Sequence, residues 1–221
     1  LGMDAPGTTS ELLVERILAE LQAGEATAQV EVRYRGGERQ VRAVSPVPAH
    51  EAAAAVEPAF KESGIYLITR GLGGVGYELA KYLAGRYRAR LVLTGRSALS
   101  DVLRQRLSHL ERLGADAVYV QADVVSRKDV NHCLGYVKAR FSGLHGIIHC
   151  AGLLKEGALA DKSQADFETT LAPKVQGTLV LDQATRTEPL EFFVVLSSVS
   201  TVIGTSLAAD YATANRFLDG F

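Results

Sequence analysis

The segment IYLITRGLGGVG (Ile65–Gly76) decides the fold of this chain. A short apolar run leads into a turn rich in glycine, and a helical pattern then continues to about Tyr87. A strand, a glycine turn and a helix in this order are typical of dinucleotide-binding α/β domains, where the helix N-terminus faces a pyrophosphate. No Gly-Lys-Ser/Thr follows the glycines, so the turn is not a nucleoside-triphosphate phosphate loop.

The same alternation of strand and helix continues to the end of the chain. Further apolar runs predict strands at 91–94, 117–120, 144–149 and 192–196. Helices are predicted between them, including one long helix over 163–186, and the last begins near Leu207. Continuously apolar strands separated by helices predict a doubly wound parallel sheet of the Rossmann type, in the α/β class. A sixth strand would need more sequence after Phe221, so we expect the catalytic domain to be truncated at its C-terminus.

Residues 1–63 follow a different pattern. A capping box from Thr8 to Glu11 opens a short amphipathic helix, and an alternating run from Val30 predicts a hairpin that turns at Gly36-Gly37. Residues 50–62 are predicted to be a linker or a short helix. One helix and one hairpin cannot form a core of their own, so residues 1–63 are interpreted as a remnant of a larger unit or as a flap on the main domain. We expect two parts, this remnant at 1–63 and the catalytic domain at 64–221.

Composition excludes several classes of protein. The 221 residues carry 24 Lys and Arg against 25 Asp and Glu, a net charge of −1, which gives no electrostatic case for nucleic acid or an anionic membrane. Two cysteines do not make a disulfide framework, and a reducing, cytoplasmic setting is expected. His145 and His149 have a metal-like spacing, but four residues along a strand span about 13 Å, so no metal site is predicted.

The ends of the predicted strands supply candidates for cofactor binding. Arg96 lies 20 residues after Gly76, where an arginine accommodates the 2′-phosphate of NADP and an acid would bind the ribose of NAD. Asp123 is a candidate for the adenine amine, and a helix N-cap is an equal alternative. The full set of cofactor-binding candidates is Thr69, Gly71, Leu72, Gly73, Val75, Gly76, Arg96, Asp123, Val124, Cys150, Ala151 and Gly152.

Four polar residues are candidates for the chemistry, namely Lys174, Ser198, Tyr211 and Asn215. Ser198 follows the fifth strand at the sheet edge where open α/β sheets bind ligands. Tyr211 and Asn215 are four apart on one helix. An ammonium near the phenol would favour the phenolate, and a serine hydroxyl can stabilise a developing oxyanion, so together these groups suit carbonyl reduction.

These motifs resemble a known family, the ketoreductase domains of modular polyketide synthases, within the short-chain dehydrogenase/reductase superfamily. The resemblance covers 64–221 and is carried by the glycine turn, LTGR, HCAG (149–152), LAPKVQGT (171–178), VLSSVS (195–200) and DYATANRFLDG (210–220). Most short-chain dehydrogenases carry a lysine four residues after the tyrosine. Here Asn215 occupies that place and Lys174 lies upstream, an exchange typical of the synthase ketoreductases.

The resemblance implies a role for each matching residue. Tyr211 would donate the proton, Ser198 would polarise the ketone, Lys174 would assist Tyr211, and Asn215 would support the proton relay. It implies NADPH-dependent reduction of a β-ketoacyl thioester that is carried on an acyl carrier protein. It also implies that the chain is part of a multidomain megasynthase, with other synthase domains as its neighbours. It also implies that the hairpin belongs to the structural subdomain that precedes the catalytic half.

Two departures from the family pattern stand out. Arg70 replaces a glycine of the turn, where it either crowds the pyrophosphate or adds a cation beside it. Leu154-Lys155-Glu156 stands in place of the Asp-rich marker of one stereochemical class, and Ile203 stands in place of the tryptophan of the other. With Glu156 as a partial substitute, the resemblance favours the B-type class and a D-configured hydroxyl.

Two alternatives to this interpretation stay open. One is a stand-alone short-chain dehydrogenase acting on a small free carbonyl compound. The other is a scaffold or epimerising module that retains the fold without reducing anything; the presence of all four polar residues argues against it.

Overall fold

The computed structural model describes residues 2–3, 9–23, 32–46, 48, 60–203 and 207–221. These residues divide into two compact units. The N-terminal ranges up to residue 48, together with 202–203, belong to the smaller unit, and the larger unit contains 60–201 and 207–221. None of the helices in these ranges combines the length and the apolarity that a bilayer crossing requires.

The smaller unit contains a helix and a three-stranded sheet. Its elements are β1 (Gly2–Met3), α1 (Ser10–Ala23), β2 (Val32–Arg35) and β3 (Glu38–Val41). β2 pairs antiparallel with β3 through Gly36 and Gly37, whose φ angles of 58° and 86° suit a two-residue hairpin turn. The predicted helix and hairpin are therefore present. The predicted capping residue Thr8 and most of the predicted linker 50–62 lie outside the described residues; Thr9 Oγ1 accepts from the Leu12 N–H at 3.3 Å.

The larger unit is a parallel sheet with helices on both faces. Its elements, in chain order, are β4 (Ile65–Thr69), α2 (Gly74–Tyr87), β5 (Arg90–Gly95), α3 (Asp101–Arg112), β6 (Asp116–Gln121), α4 (Arg127–Phe141), β7 (Gly146–His149), a 3₁₀ turn (Leu159–Asp161), α5 (Gln164–Leu171), α6 (Val175–Thr185), β8 (Phe192–Val195) and α8 (Ala209–Gly220). The short helix α7 (Ser200–Ile203) has its first two residues in this unit. The strand order is β6-β5-β4-β7-β8, and every pairing is parallel. The predicted fold class is confirmed.

Side chains of the central strand β4 alternate between two cores. Tyr66 and Ile68 join the cluster that contains Leu83 of α2 and Leu110 of α3. Ile65 and Leu67 belong to the opposite cluster, with residues of α4 and α6. A parallel strand that is buried on both faces reads as a continuous apolar run, which is why the sequence pattern identified it.

One predicted helix is wrong. The pattern over 163–186 predicts a single helix, but the structure has two, α5 and α6, separated at residues 172–174. Pro173 has no amide hydrogen, and its ring clashes with the preceding turn, so a helix does not continue through it. The break places Lys174 in a turn, at the N-terminus of α6. The short helix α7 was also not predicted.

The order of the strands determines where a ligand can bind. After β4 the chain moves outward to β5 and β6, and then it returns to the other side of β4 to form β7 and β8. The loops after β4 and β7 therefore diverge and leave a crevice beyond the carboxyl ends of the strands. Thr69 lies in register with both Thr94 of β5 and His149 of β7.

Candidate active site

The glycine turn packs tightly against the strand and helix that it joins. A Cβ added to Gly71 would come within 2.6 Å of Leu93 Cδ2, and one added to Gly76 would come within 2.6 Å of the Arg70 carbonyl oxygen. These two glycines are required by close packing of the turn. The N-cap of α2 is Gly73, which offers no side-chain acceptor, so the first amides of the helix are available to an anionic ligand.

A buried hydrogen-bond network joins the ends of β4 and β7. His149 Nε2 lies 2.9 Å from the Pro173 carbonyl oxygen, an acceptor only, so this nitrogen carries the proton. His149 Nδ1 therefore accepts from the Thr69 hydroxyl at 2.7 Å. The Thr69 oxygen in turn accepts from the N–H groups of Cys150 and Ala151, each at 3.0 Å. This network links the strand ends to the turn that holds Lys174.

The His149 ring is held in its neutral form. Burial lowers its pKa to about 4, with a smaller contribution from the Lys174 ammonium, while the bond to the Pro173 carbonyl opposes the shift. A second ring proton would also remove the acceptor that Thr69 requires. His149 thus acts as a fixed spacer between the two strand ends and Pro173.

A cleft of about 510 Å³ opens at the carboxyl ends of the strands. Of the predicted cofactor-binding residues, those that line it are Leu72, Gly73, Arg96, Asp123, Val124, Ala151 and Gly152. The predicted residues that do not line it are Thr69, Gly71, Val75, Gly76 and Cys150. Thr69 is 2% exposed, and its hydroxyl is fully used by the network at the strand ends.

Three guanidinium groups line this cleft, those of Arg70, Arg96 and Arg106. Within the described ranges, none of the three pairs with a carboxylate. Asp123 is the acidic residue of the lining, and its Oδ1 accepts from the Val125 N–H at 3.2 Å. An excess of unpaired arginine is the arrangement that binds phosphate groups.

Arg70 reaches from the glycine turn to the loop after β7. Its φ of 52° is in the left-handed region, which favours glycine over residues with a Cβ. Nη1 donates to the Gly152 carbonyl oxygen at 2.6 Å, and the side chain folds beside Gly73. Arg70 therefore crosses the cleft next to the uncapped N-terminus of α2.

Arg106 is a residue of this cleft that the sequence analysis does not predict. Arg106 Nη1 donates to the Leu72 carbonyl oxygen at 2.5 Å, and its guanidinium stacks 5.0 Å from the Tyr77 ring centre. Ser126 caps α4 by accepting from the Asp129 N–H, so Asp123 is not the N-cap and instead forms a local turn.

Lys174 is a buried cation. The residue is 4% exposed, and its Nζ donates to the Leu196 carbonyl oxygen at 2.6 Å. Burial lowers its pKa to about 8, although the neighbouring Cys150 opposes the shift. A Cβ on Gly152 would lie 2.9 Å from Lys174 Cε, so the glycine makes room for the lysine stem. Across the described part of the chain, no carboxylate pairs with this ammonium.

Tyr211 and Asn215 occupy successive turns of α8, close to Lys174. The Lys174 Nζ lies 5.7 Å from the centre of the Tyr211 ring. Asn215 is fully buried, and its Nδ2 donates to the Tyr211 carbonyl oxygen at 2.7 Å. Asn215 Oδ1 has no hydrogen-bond partner among the described residues, and a buried acceptor left in this state is suited to a ligand or water donor.

Ser198 lies in the loop between β8 and α7. Its Oγ accepts from the Ser200 N–H at 3.2 Å, so the hydroxyl proton is available to another acceptor. Leu196, which accepts from Lys174, is two residues before Ser198. The structure places the Lys174 ammonium near the Tyr211 ring and joins Asn215 to the Tyr211 backbone. It leaves Ser198 at the adjoining strand end with a local partner.

Comparison with known proteins finds a matching family model and related polyketide synthases. The family model for the KR domain matches residues 64–221. Polyketide synthase PksM of Bacillus subtilis (strain 168) is 38% identical over 205 residues, which is 91% of this chain and 5% of that protein. The chain therefore spans about a twentieth of the length of this relative.

Solved structures resemble the chain as well. An N-terminal ketoreductase from the macrolactin assembly line is 43% identical, with a TM-score of 0.73 over 83% of this chain and 36% of that one. A ketoreductase domain from the bacillaene assembly line is 35% identical, with a TM-score of 0.78 over 95% of this chain and 48% of that one. A fold of this type implies a nicotinamide cofactor, and the arginine-lined cleft fits the phosphates of such a group. The chain belongs to the ketoreductase domains of polyketide synthases, with the fold of the short-chain dehydrogenases/reductases.

Proposed function

We propose that this chain reduces a β-ketoacyl thioester on an acyl carrier protein to the β-hydroxyacyl thioester, with NADPH as the reductant. The observation that carries the proposal is the buried Lys174 ammonium beside the Tyr211 ring, with no described carboxylate partner. A buried unpaired charge is costly to the fold, so its presence indicates chemistry rather than stability.

The cofactor would lie along the carboxyl ends of the strands. The amides at the start of α2 and the Arg70 guanidinium would hold the pyrophosphate, and Arg96 would hold the 2′-phosphate. Ala151 and Gly152 are small enough to let a flat ring pass closely. When bound, NADPH supplies the hydride that the carbonyl carbon receives.

The side chains of this chain supply the proton and stabilise the charge. The Tyr211 hydroxyl gives its proton to the substrate oxygen, so that hydride at carbon and proton at oxygen together make the alcohol. The Lys174 ammonium stabilises the phenolate that remains. The Ser198 hydroxyl donates to the same substrate oxygen as its negative charge develops. Asn215 fixes Tyr211 through the Tyr211 carbonyl oxygen and offers Oδ1 to the proton relay.

The substrate side of the site lies next to the loop after β7. Lys155 in this loop pairs with Asp166, and Glu156 is exposed. We propose a B-type site that gives a product with a D-configured hydroxyl. Glu156 would substitute for the aspartates that mark this class in the loop after β7. We also propose that the domain 64–221 works beside neighbouring synthase domains, after a structural remnant at 1–63.

An assay with two substrates tests the proposal. The chain is given NADPH and either a carrier-bound β-ketoacyl thioester or a small free ketone. We expect reduction of the carrier-bound substrate with the higher kcat/KM, and chiral analysis of the product gives its configuration. Preference for the free ketone would favour a stand-alone dehydrogenase, and no reduction of either substrate would favour a scaffold.

A further inference from the structure

Lys162 and Asp210 form an ion pair that is almost completely removed from solvent. The Nζ–Oδ2 distance is 2.5 Å, and the two side chains are 5% and 0% exposed. The other ion pairs described for this chain leave at least one partner substantially exposed. Lys162 belongs to the loop before α5, and Asp210 lies 48 residues later, in the first turn of α8.

Both charged groups have further hydrogen-bond partners. Lys162 Nζ also donates to the Lys155 carbonyl oxygen at 2.5 Å. Asp210 Oδ1 accepts from the N–H of Tyr211 at 2.9 Å. One carboxylate thus contacts the loop cation through one oxygen and the backbone of the candidate proton donor through the other.

The loop that carries Lys162 extends from the cleft to the start of α8. It begins after β7 at Gly152 and Leu153, which line the cleft. Its Gly157 N–H donates to the Leu207 carbonyl oxygen at 2.8 Å, so the loop is bonded to the segment that precedes α8. Lys162 itself does not line the cleft, and neither does Asp210.

Stability alone does not account for a buried ion pair. Desolvation of the two charges offsets much of their attraction, and apolar residues of similar volume often serve as well or better. What a paired charge adds is a unique geometry, because both groups must face each other and satisfy their remaining partners. Here the geometry it defines is that of the first turn of α8, where Tyr211 lies.

We propose that Lys162 and Asp210 are positioning residues that hold Tyr211 in register with Lys174. The pair joins the loop after β7 to the backbone N–H of Tyr211, and it contacts neither the cleft nor Lys174. This inference rests on the proposed function, because it assigns the pair to the proton donor of that reaction.

Four variants test the role. Lys162→Met breaks the pair, Lys162→Arg keeps the cation, and Lys162→Met with Asp210→Leu replaces both charges with apolar side chains. Lys138→Met is the matched control, because it removes an ion pair of 2.6 Å with the largely buried Glu188, outside the cleft. For each variant, kcat and KM of ketothioester reduction, the melting temperature and the Kd of NADPH by fluorescence are measured.

If the pair positions Tyr211, kcat and the melting temperature should respond differently to these variants. Lys162→Met lowers kcat by roughly 10–100-fold, since a displacement of about 1 Å can cost that much, while the NADPH Kd changes by less than about threefold. Lys162→Arg recovers most of kcat. The double variant recovers most of the melting temperature that Lys162→Met loses but not kcat, and Lys138→Met keeps the wild-type kcat.

Recovery of both melting temperature and kcat in the double variant would overturn the proposal, because the pair would then serve folding alone. The double variant keeps the test valid if Lys162→Met does not fold. A wild-type chain that reduces no ketothioester would contradict the proposed function. An active wild type whose double variant matches its kcat would contradict only the positioning role.

Discussion

The Lys174 ammonium and the Tyr211 ring come within 5.7 Å of each other, although 37 positions separate them in the chain. Lys174 reaches this place from the turn between α5 and α6, and Tyr211 reaches it from the first turns of α8. Burial lowers the Lys174 pKa to about 8, which brings its ionisation into the range where the enzyme can be assayed.

The first prediction concerns the pH dependence of reduction. In the proposed mechanism the charged lysine stabilises the Tyr211 phenolate. The value of kcat/KM should therefore be highest below pH 8 and should fall as the pH rises through about 8. Lys174→Met should be slow at every pH and should lack this ionisation. A wild-type profile that stays flat from pH 7 to 9 would mean that the lysine charge is not required.

The second prediction concerns stability in acid. The folded state holds His149 neutral with a pKa of about 4, whereas the unfolded chain takes up a proton at the ordinary value of 6.5. Between pH 4 and pH 6.5 the chain therefore takes up a proton at His149 when it unfolds. The His149 contribution is fully present above pH 6.5, and it falls by about 1.4 kcal/mol per pH unit as the pH drops towards 4.

Urea unfolding between pH 4 and 7.5 measures this contribution. Replacing His149 with Gln should flatten the slope, whereas replacing the exposed His132 of α4 should leave it as in the wild type. An equal slope in the His149 and His132 variants would contradict the account of the network at the strand ends.

The third prediction separates NADPH from NADH. Arg96→Ala should raise the Kd for NADPH by about tenfold or more, since a guanidinium–phosphate contact is worth roughly 1.5–3 kcal/mol, and it should leave the Kd for NADH unchanged. Arg104→Ala is a suitable control, because Arg104 pairs with Asp101 and does not line the cleft. Equal affinity of the wild type for both cofactors would remove the role assigned to Arg96.

The fourth prediction concerns the arginine in the glycine turn. In Arg70→Gly the left-handed backbone conformation suits the new residue, but the cation beside the α2 N-terminus is lost. The Kd values for NADPH and NADH should both rise by about tenfold, because the two cofactors share the pyrophosphate that a charge-assisted bond would hold. Tighter binding by the variant would mean that the side chain obstructs the cleft.

Much of the fold followed from local patterns. The strands were predictable because a parallel strand covered on both faces is continuously apolar, as in IYLIT at β4. The predicted helix over 163–186 is the exception. The helical pattern over 163–186 continues on both sides of Pro173, and the proline had to outweigh the periodicity to divide α5 from α6.

The site was harder to predict where partners are distant in sequence. Thr69 follows the pattern of a cofactor residue, yet the register of β4 with β7 commits its hydroxyl to His149 and the next two amides. Lys162 and Asp210 are 48 residues apart in the chain, and no local pattern marks them as partners, so only the tertiary fold buries them together. Arg106 lies on a strongly amphipathic helix, where nothing in the local pattern distinguishes it from the other charged residues.

The most direct test of the central claim is the rate of β-ketoacyl thioester reduction by Tyr211→Phe, measured in NADPH-saturated single-turnover experiments. We predict a loss of roughly 10²–10⁴-fold with an unchanged NADPH Kd, because the phenol is the proposed proton donor and its hydroxyl does not line the cleft. A rate near that of the wild type would contradict the assignment of Tyr211 as the proton donor, and with it the mechanism built on Lys174 and Ser198.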